Sequence, residues 1–377
     1  MNAGARLVVL ADFTPRGDRT MDRFFLRFGE AMRARNWPVR MLFCAPPAPT
    51  YASALRALGI EWGLVRFPLS RNVTAFWRAL GGDSRPTFLQ THFVSPFDPV
   101  LLATRASGRL MRLQVIDHSS DRVFPRVGLG RALRGARGFI TTRVLDELIA
   151  VSDFVARRLE GLGIEPSRIR TIHNGIEPED WPARAEPRRP GPPRLCYAGR
   201  LEEEKGIPVL RAAFEQLERT VDGIELFVAG AGPARTQLES WAAGRRVHLL
   251  GTVQGLGSLF RDIDVLMVPT LSDEAFGLVA AEAMASQAAV IASNVGGLPE
   301  VVGPCGRLCP PGDARALAEA AEELCTDLGK AADLGREGRA RVLDRFTLDR
   351  VVNSYVRAVA ELASDTRSPT MFGAAAH

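Results

Sequence analysis

Short apolar runs alternate with longer amphipathic stretches along the whole chain. In the first half the runs predict strands at Leu7–Ala11, Pro38–Phe43, Phe88–Thr91, Leu113–Asp117, Leu148–Val151 and Ile169–His173. In the second half they predict strands at Leu195–Ala198, Ile224–Ala229, Val247–Leu250, Val265–Val268 and Val290–Ala292. Most are unbroken and rich in Val, Ile and Leu, the pattern of parallel strands covered on both faces. Helical periodicity lies between them, at Met21–Arg35, Pro208–Arg219, Arg235–Ala243 and Ala314–Leu328. Regular strand–helix alternation predicts a doubly wound α/β architecture.

One segment breaks the pattern. Glu177 to Arg194 holds six prolines and no apolar periodicity, and reads as a linker. The expected organisation is an N-terminal domain over 1–176, a linker over 177–194 and a second domain over 195–345. Residues 346–363 are expected to form a helix that packs back on the first domain, and 364–377 a disordered tail. The length of 377 residues suits two such domains. Ligands of open parallel sheets bind at the carboxyl ends of the strands, so two facing domains would make one cleft.

Composition narrows the class. Hydrophobic residues make up 46% and charged residues 24%, which excludes general disorder. No apolar run approaches the roughly 20 residues of a bilayer-spanning helix. The opening MNAGARLVVLADF has an apolar run too short for a signal-peptide core and reads as a first strand. The net charge of +5 hides an asymmetry: residues 1–189 carry +11 and residues 190–377 carry −6. Nearly all the positive charge is Arg; the two lysines are Lys205 and Lys330. The five cysteines, Cys44, Cys196, Cys305, Cys309 and Cys325, are scattered and complete no metal pattern, so they read as free thiols in a reducing cytoplasm.

Two segments carry candidate chemistry. AGRLEEEKG, Ala198 to Gly206, follows a predicted strand and precedes a helix expected to open near Lys205. Gly199 permits a tight turn, and Arg200 and Lys205 can offer a planar fork and a point charge to a diphosphate. The competing reading is a surface loop in which Glu202, Glu203 and Glu204 neutralise those cations. PTLSDEAFGLVAAEAM, Pro269 to Met284, also follows a strand. Phe276, Gly277 and Leu278 are expected in the first turn of a helix, where amides lack intrahelical acceptors and bind anions. Glu274 and Glu282 flank that turn. Two carboxylates beside a diphosphate are tolerable if each accepts hydrogen bonds from hydroxyls, which describes a nucleotide sugar. Either Glu alone would be explained by the helix dipole and solvent.

The spacing Glu274-x7-Glu282 resembles the paired-glutamate motif of the retaining nucleotide-sugar glycosyltransferases with the GT-B fold, the large fourth family of group 1 glycosyl transferases. GRLEEEKG is similar to that family's diphosphate loop, and HNGIE, His173 to Glu177, to the signature that ends its first domain. IAVSDFVARRL, GTVQ, DVLMVPTLSDEAFGLVAAEAMA and IASNVGGLPEVV match further motifs in consistent order over roughly 148–313, with weaker likeness before that. The resemblance implies an α/β GT-B enzyme, two doubly wound Rossmann-like domains facing each other across a cleft. It implies that Arg200 and Lys205 bind the donor diphosphate and that Phe276, Gly277 and Leu278 present amides to donor oxygens. Glu274 would contact the transferred sugar, Glu282 the ribose, and Val253 the neighbourhood of the base. His118, after a predicted strand end, would face the transferred sugar; His92 is the other candidate. Where the family has a glycine pair after the first strand, at which the backbone approaches the donor, this chain has the single Gly17 as the donor-binding candidate.

Other features are weighed against this reading. Asp262 and Asp264 form an Asp-x-Asp string, but one ends a helix and the other opens an apolar strand, so no metal is expected. Gly230–Gly232 reads as a strand–helix turn rather than a dinucleotide fingerprint. Asp121 to Arg143 holds six arginines, Arg122 to Arg143, interleaved with apolar residues. It suits an anionic membrane surface or lipid-linked acceptor, or else a solvated basic face. No nucleic-acid motif accompanies it. The expected protein is a metal-independent, retaining hexosyltransferase without a cofactor, cytoplasmic or peripheral at the inner membrane face. Its donor would be a nucleotide diphosphate sugar, and it would serve polysaccharide, glycolipid or secondary-metabolite synthesis. The rivals are a nucleotide-sugar epimerase and a non-catalytic sugar-nucleotide-binding protein.

Overall fold

The computed structural model describes residues 5–17, 19–81, 85–119, 138–184 and 191–365. The chain forms two compact units. The first comprises Met1–His173 with Asp349–His377, the second Asn174–Leu348. The Pro-rich segment 177–194 therefore begins inside the second unit, where Trp181 accepts a hydrogen bond at its carbonyl from Arg339.

The first unit is built on a seven-stranded parallel sheet: β1 (Arg6–Ala11), β2 (Val39–Phe43), β3 (Glu61–Leu64), β4 (Thr87–His92), β5 (Arg112–Asp117), β6 (Glu147–Ala150) and β7 (Ile169–Thr171). Their spatial order is β3-β2-β1-β4-β5-β6-β7. The strand order reverses between β1 and β4, which pair from Arg6↔Thr87 to Ala11↔His92. β1, β4, β5 and β6 are buried along their whole length, as parallel strands covered on both faces are. The helix Thr20–Arg33 presents Phe24, Phe25, Phe28 and Met32 to the core at helical spacing. Each such buried side chain contributes about 1.5–3 kcal/mol.

The second unit has a six-stranded parallel sheet: β8 (Arg194–Ala198), β9 (Glu225–Ala229), β10 (Val247–Gly251), β11 (Val265–Val268), β12 (Ala289–Ser293) and β13 (Arg307–Cys309). Its order, β10-β9-β8-β11-β12-β13, is that of a dinucleotide-binding sheet, with the switch point between β8 and β11. Leu210, Phe214 and Leu217 of the helix Ile207–Thr220 pack with Leu317, Ala321 and Leu324 of the helix Ala314–Thr326 in one cluster. Cys309 and Cys325 lie in the same cluster as packing residues.

All eleven expected strands are present. Two more appear, β3 and β13, and both are edge strands. β3 is largely exposed and β13 is three residues long, so neither needs the apolar run that marks a buried strand. The helix expected over 346–363 is separated by a short break from the helix before it. The helix Leu328–Arg345 ends at Phe346, and a second helix runs from Leu348 to Ser364. Around that break, Leu348 donates to the Ile176 carbonyl and Ile176 to that of Phe346. The last helix groups with the first unit. Its Tyr355 ring packs edge-on against Phe24 at 4.9 Å, and the Leu362 carbonyl accepts from Arg112 at 2.9 Å. The tail 366–377 and most of the arginine-rich stretch, 120–137, lie outside the described residues.

Candidate active site

The second unit's candidates converge at the switch point. Gly199 and Arg200 follow β8, and Glu203–Lys205 form a single 3-10 turn. The helix begins at Ile207 rather than near Lys205, because Gly206 intervenes with φ +80°. A Cβ on Gly206 would lie 1.8 Å from the Pro269 carbonyl oxygen, so only glycine lets the two loops approach this closely. The approach is stitched by one acceptor: the Glu204 carbonyl receives the amides of Leu271 at 2.8 Å and Ser272 at 3.2 Å. Lys205 Nζ then meets Glu274 Oε1 at 2.6 Å, with both side chains largely shielded from solvent.

Glu274 is held from behind by the loop after β12. Gly297 donates to the Glu274 carbonyl at 2.7 Å, and a Cβ on Gly296 would lie 2.3 Å from that same oxygen. The helix beyond runs from Leu278 to Ala285 with Gly277 as its cap. Phe276 thus precedes the helix instead of lying in its first turn. Its ring is buried and packs edge-on against Phe346 at 5.4 Å. Glu282 sits on that helix, half-buried.

Arg200 remains on the surface and pairs with Glu202 at 2.6 Å and Glu204 at 3.4 Å, the neutralised arrangement weighed as the alternative. Its backbone is anchored by Tyr197, whose hydroxyl donates to the Arg200 carbonyl at 2.6 Å. Burial first, then the negative charges of Glu274 and Glu202, push the Tyr197 hydroxyl well above its ordinary range. It therefore stays a donor. Val253 is half-buried in the turn after β10. Asp264 is at the opposite end of the sheet, where its carboxylate accepts the Arg194 amide at 2.9 Å.

In the first unit the two histidine candidates are in contact. His92 ends β4 fully buried, with Phe25 edge-on at 5.0 Å and Phe24 at 5.5 Å. His118 follows β5, and its Nε2 lies 3.1 Å from His92 Nδ1. The turn that carries His118 is pinned on both sides. Asp117 accepts the Ser119 amide at 2.8 Å and pairs with Arg158 at 2.6 Å. Arg158 lies on the helix Asp153–Gly161, which Ser152 caps through the Val155 amide. Burial keeps both rings neutral. It holds His92 well below the usual histidine value, with neighbouring His118 as a smaller cause, and lowers His118 to about 3.

Phe93 lies against His118. Its ring stacks on His118 with centroids 4.2 Å apart and on Phe13 at 5.7 Å. Its φ of +60° is costly for an aromatic residue, about 1–3 kcal/mol, and such strain gathers at functional sites. Gly17 lies in the loop after β1. Its N–H donates to Asp22 Oδ2 at 2.9 Å, and the amides of Arg16 and Arg19 turn to the same carboxylate. Burial raises the Asp22 carboxyl above its ordinary value even against these three amides.

Known proteins match both units. Residues 21–180 fit the model described as Glycosyltransferase Family 4, and residues 192–327 the one described as Glycosyl transferases group 1. A phosphatidyl-myo-inositol mannosyltransferase of Mycobacterium leprae (strain TN) is 35% identical over 314 residues, 78% of this chain and 80% of that one. The chain belongs to the group 1 glycosyltransferases. Other family relatives match over less of their length. A glycogen synthase of Mycobacterium tuberculosis (strain ATCC 25618 / H37Rv) is 35% identical over 213 residues, and the chain spans about half of it, 51%.

Solved structures show the GT-B fold for this glycosyltransferase. A Rickettsia africae glycosyltransferase superposes with a TM-score of 0.78 at 16% identity, covering 97% of this chain and 100% of that one. Anabaena HepE in complex with UDP gives 0.74 at 16% identity, over 94% of this chain and 100% of that one. A Thermosynechococcus elongatus sucrose-phosphate synthase gives 0.74 at 24% identity, over 95% and 99%.

Proposed function

We propose that this chain transfers a sugar from a nucleotide diphosphate sugar to an acceptor hydroxyl, with retention at the anomeric carbon and without a metal. The observation that carries the proposal is the Lys205–Glu274 pair at 2.6 Å, held by tightly packed loops at the switch point. A cation fixed at the carboxyl end of a parallel sheet suits a diphosphate, and the carboxylate beside it suits a sugar hydroxyl. Arg200 lies in the same loop as Lys205, with a fork that can leave Glu202 and Glu204 for phosphate oxygens. Charge developing on the leaving diphosphate would be stabilised by Lys205, Arg200 and the amides of Gly277 and Leu278, the dominant catalytic contribution expected for such a step. Glu282 accepts the ribose hydroxyls in this reading, and Val253 flanks the base. His118 contacts the transferred sugar.

For the acceptor we favour an anionic, lipid-linked hydroxyl compound at the inner membrane face. Three observations support it: the +11 charge of residues 1–189, the six arginines from Arg122 to Arg143, and the similarity to an inositol-phospholipid mannosyltransferase. Within the described end of that segment Phe139 and Ile140 are about half exposed, and the Arg143 guanidinium lies 3.9 Å from the Phe139 ring centre. No helix of the described residues is long and apolar enough to cross a membrane. A thermal-shift panel of nucleoside diphosphates and their sugars tests the donor half. A ligand at 100 times its dissociation constant adds about 2.7 kcal/mol of stability. One base should stand out; a flat panel contradicts the proposal.

A further inference from the structure

A buried polar rung crosses the first unit's sheet. Gln90 on β4, Gln114 on β5 and Glu147 on β6 are direct register partners, Gln90↔Gln114 and Gln114↔Glu147. All three are buried. Their side chains join end to end: Gln114 Nε2 donates to Glu147 Oε2 at 2.6 Å, and Gln90 Nε2 donates to Gln114 Oε1 at 2.6 Å. Gln90 Oε1 then lies 3.0 Å from His92 Nε2, and His92 Nδ1 lies 3.1 Å from His118 Nε2. At the far end, Glu147 Oε1 accepts from Arg170 at 2.7 Å, and Arg170 also pairs with Glu361 of the last helix at 2.9 Å.

The chain has a direction, and Glu147 sets it. A carboxylate only accepts, so Gln114 must turn its NH2 toward Glu147 and its oxygen toward Gln90. Gln90 must then turn its oxygen toward His92, which makes His92 Nε2 a donor. In a neutral ring the other nitrogen is bare, so His92 Nδ1 accepts and His118 Nε2 donates. His118 is left with a bare Nδ1, which has no hydrogen-bond partner among the described residues. We propose that Gln90, Gln114 and Glu147 are positioning residues that fix the tautomers of both histidines, so that His118 meets a substrate hydroxyl as an acceptor at Nδ1. The tautomers follow from the rung alone; the encounter with a substrate hydroxyl rests on the function proposed above.

The Glu147→Gln variant gives the decisive contrast. Its oxygen would stay with Arg170 and its NH2 would face Gln114. Both glutamines would then turn over, and each histidine would carry its proton on Nδ1 instead. The measurement is long-range 1H–15N correlation on the full chain labelled at histidine nitrogens, near pH 7.5. The expected wild-type result is a protonated Nε2 and a bare Nδ1 on both His92 and His118, with both reversed in Glu147→Gln. A wild-type His118 protonated at Nδ1 overturns the rung's control without any variant. So does a Glu147→Gln spectrum unchanged from wild type. A second variant, Gln90→Met, cuts the chain. In that background Glu147→Gln should leave the His118 tautomer unchanged, and a reversal there overturns the route through Gln90. With the tautomers reversed, transfer should fall about ten-fold for the loss of one hydrogen bond, while nucleoside diphosphate affinity stays within two-fold, about 0.4 kcal/mol. Reversed tautomers with undiminished transfer would overturn the His118–substrate contact and leave the rung's control standing.

Discussion

Lys205 and Glu274 lie 69 residues apart in the chain, and their side chains meet at 2.6 Å because the loops after β8 and β11 are packed backbone to backbone. The pair places a cation and a carboxylate at the switch point before any ligand arrives. Glu274 and Glu282 are then expected to fail differently. Glu274→Gln should lower transfer while leaving free nucleoside diphosphate affinity within about three-fold, since its proposed partner is the sugar. Glu282→Gln should weaken the nucleotide itself by roughly 1.5–3 kcal/mol, the range for a hydrogen bond to a charged group. Comparing steady-state transfer with calorimetric affinity separates the two, and equal small losses in both would leave only helix-dipole roles.

The close packing at Gly206 has a cost when disturbed. An added methyl meets the Pro269 carbonyl oxygen at 1.8 Å in a left-handed backbone, so Gly206→Ala must push the two loops apart. The expected loss is about 1–3 kcal/mol from backbone strain alone. Thermal unfolding read with and without a nucleoside diphosphate should show both a lower midpoint and a smaller ligand-induced rise. An unchanged midpoint and an unchanged rise would mean the loops are not held as described.

Much of this was legible in the sequence, and the gaps have physical causes. Buried parallel strands announce themselves as runs of Val, Ile and Leu, so β1 and β11 were plain, while the edge strand β3, EWGL, is not. Arg200, Lys205, Glu274 and Glu282 were marked by charge beside glycine and by spacing. What spacing does not carry is which charges meet: Lys205 pairs with Glu274, and Arg200 pairs within its own loop. The two histidines stood as rivals in sequence, yet β4 and β5 are neighbours and bring them together. The residues of the rung are visible as Gln90 in TFLQTH, Gln114 in RLQVID and Glu147 at the head of ELIA, among other polar positions of β4 and β5. They become a pattern only once strand register is known.

Stability should respond to acid through the histidine pair. Both rings are neutral in the fold, with His92 held far below its unfolded value near 6.5 and His118 at about 3. As pH falls below about 6.5 the unfolded chain takes up protons that the native rings refuse, so stability falls. The slope approaches about 1.4 kcal/mol per pH unit for each histidine. Asp22, raised in the fold, acts oppositely at lower pH, where the native state protonates first. Denaturant unfolding between pH 7 and 5 should therefore show a slope that decreases in His92→Phe; the same slope in both would contradict neutral burial.

The acceptor assignment is tested by co-sedimentation with anionic and neutral vesicles at two salt concentrations. Wild type should bind anionic vesicles, and less at high salt, because each arginine near such a surface contributes about 1 kcal/mol and is screened beyond roughly 10 Å at 0.1 M salt. The Arg126/Arg131/Arg134→Ser triple variant should lose most of that binding. Binding that is absent, or indifferent to lipid charge, would favour a small acceptor away from the membrane.

The central claim is that the loops after β8 and β11 bind a nucleoside diphosphate through Lys205 and Arg200. It is tested most directly by titration calorimetry of nucleoside diphosphates into wild type, Lys205→Ala and Arg200→Ala. The account predicts one-to-one binding to wild type. Each variant should bind weaker by about 1.5–3 kcal/mol, the worth of a hydrogen bond to a charged group, with its fold intact by circular dichroism. Wild-type affinity in the Lys205→Ala variant, or no nucleoside diphosphate binding at all, would contradict it.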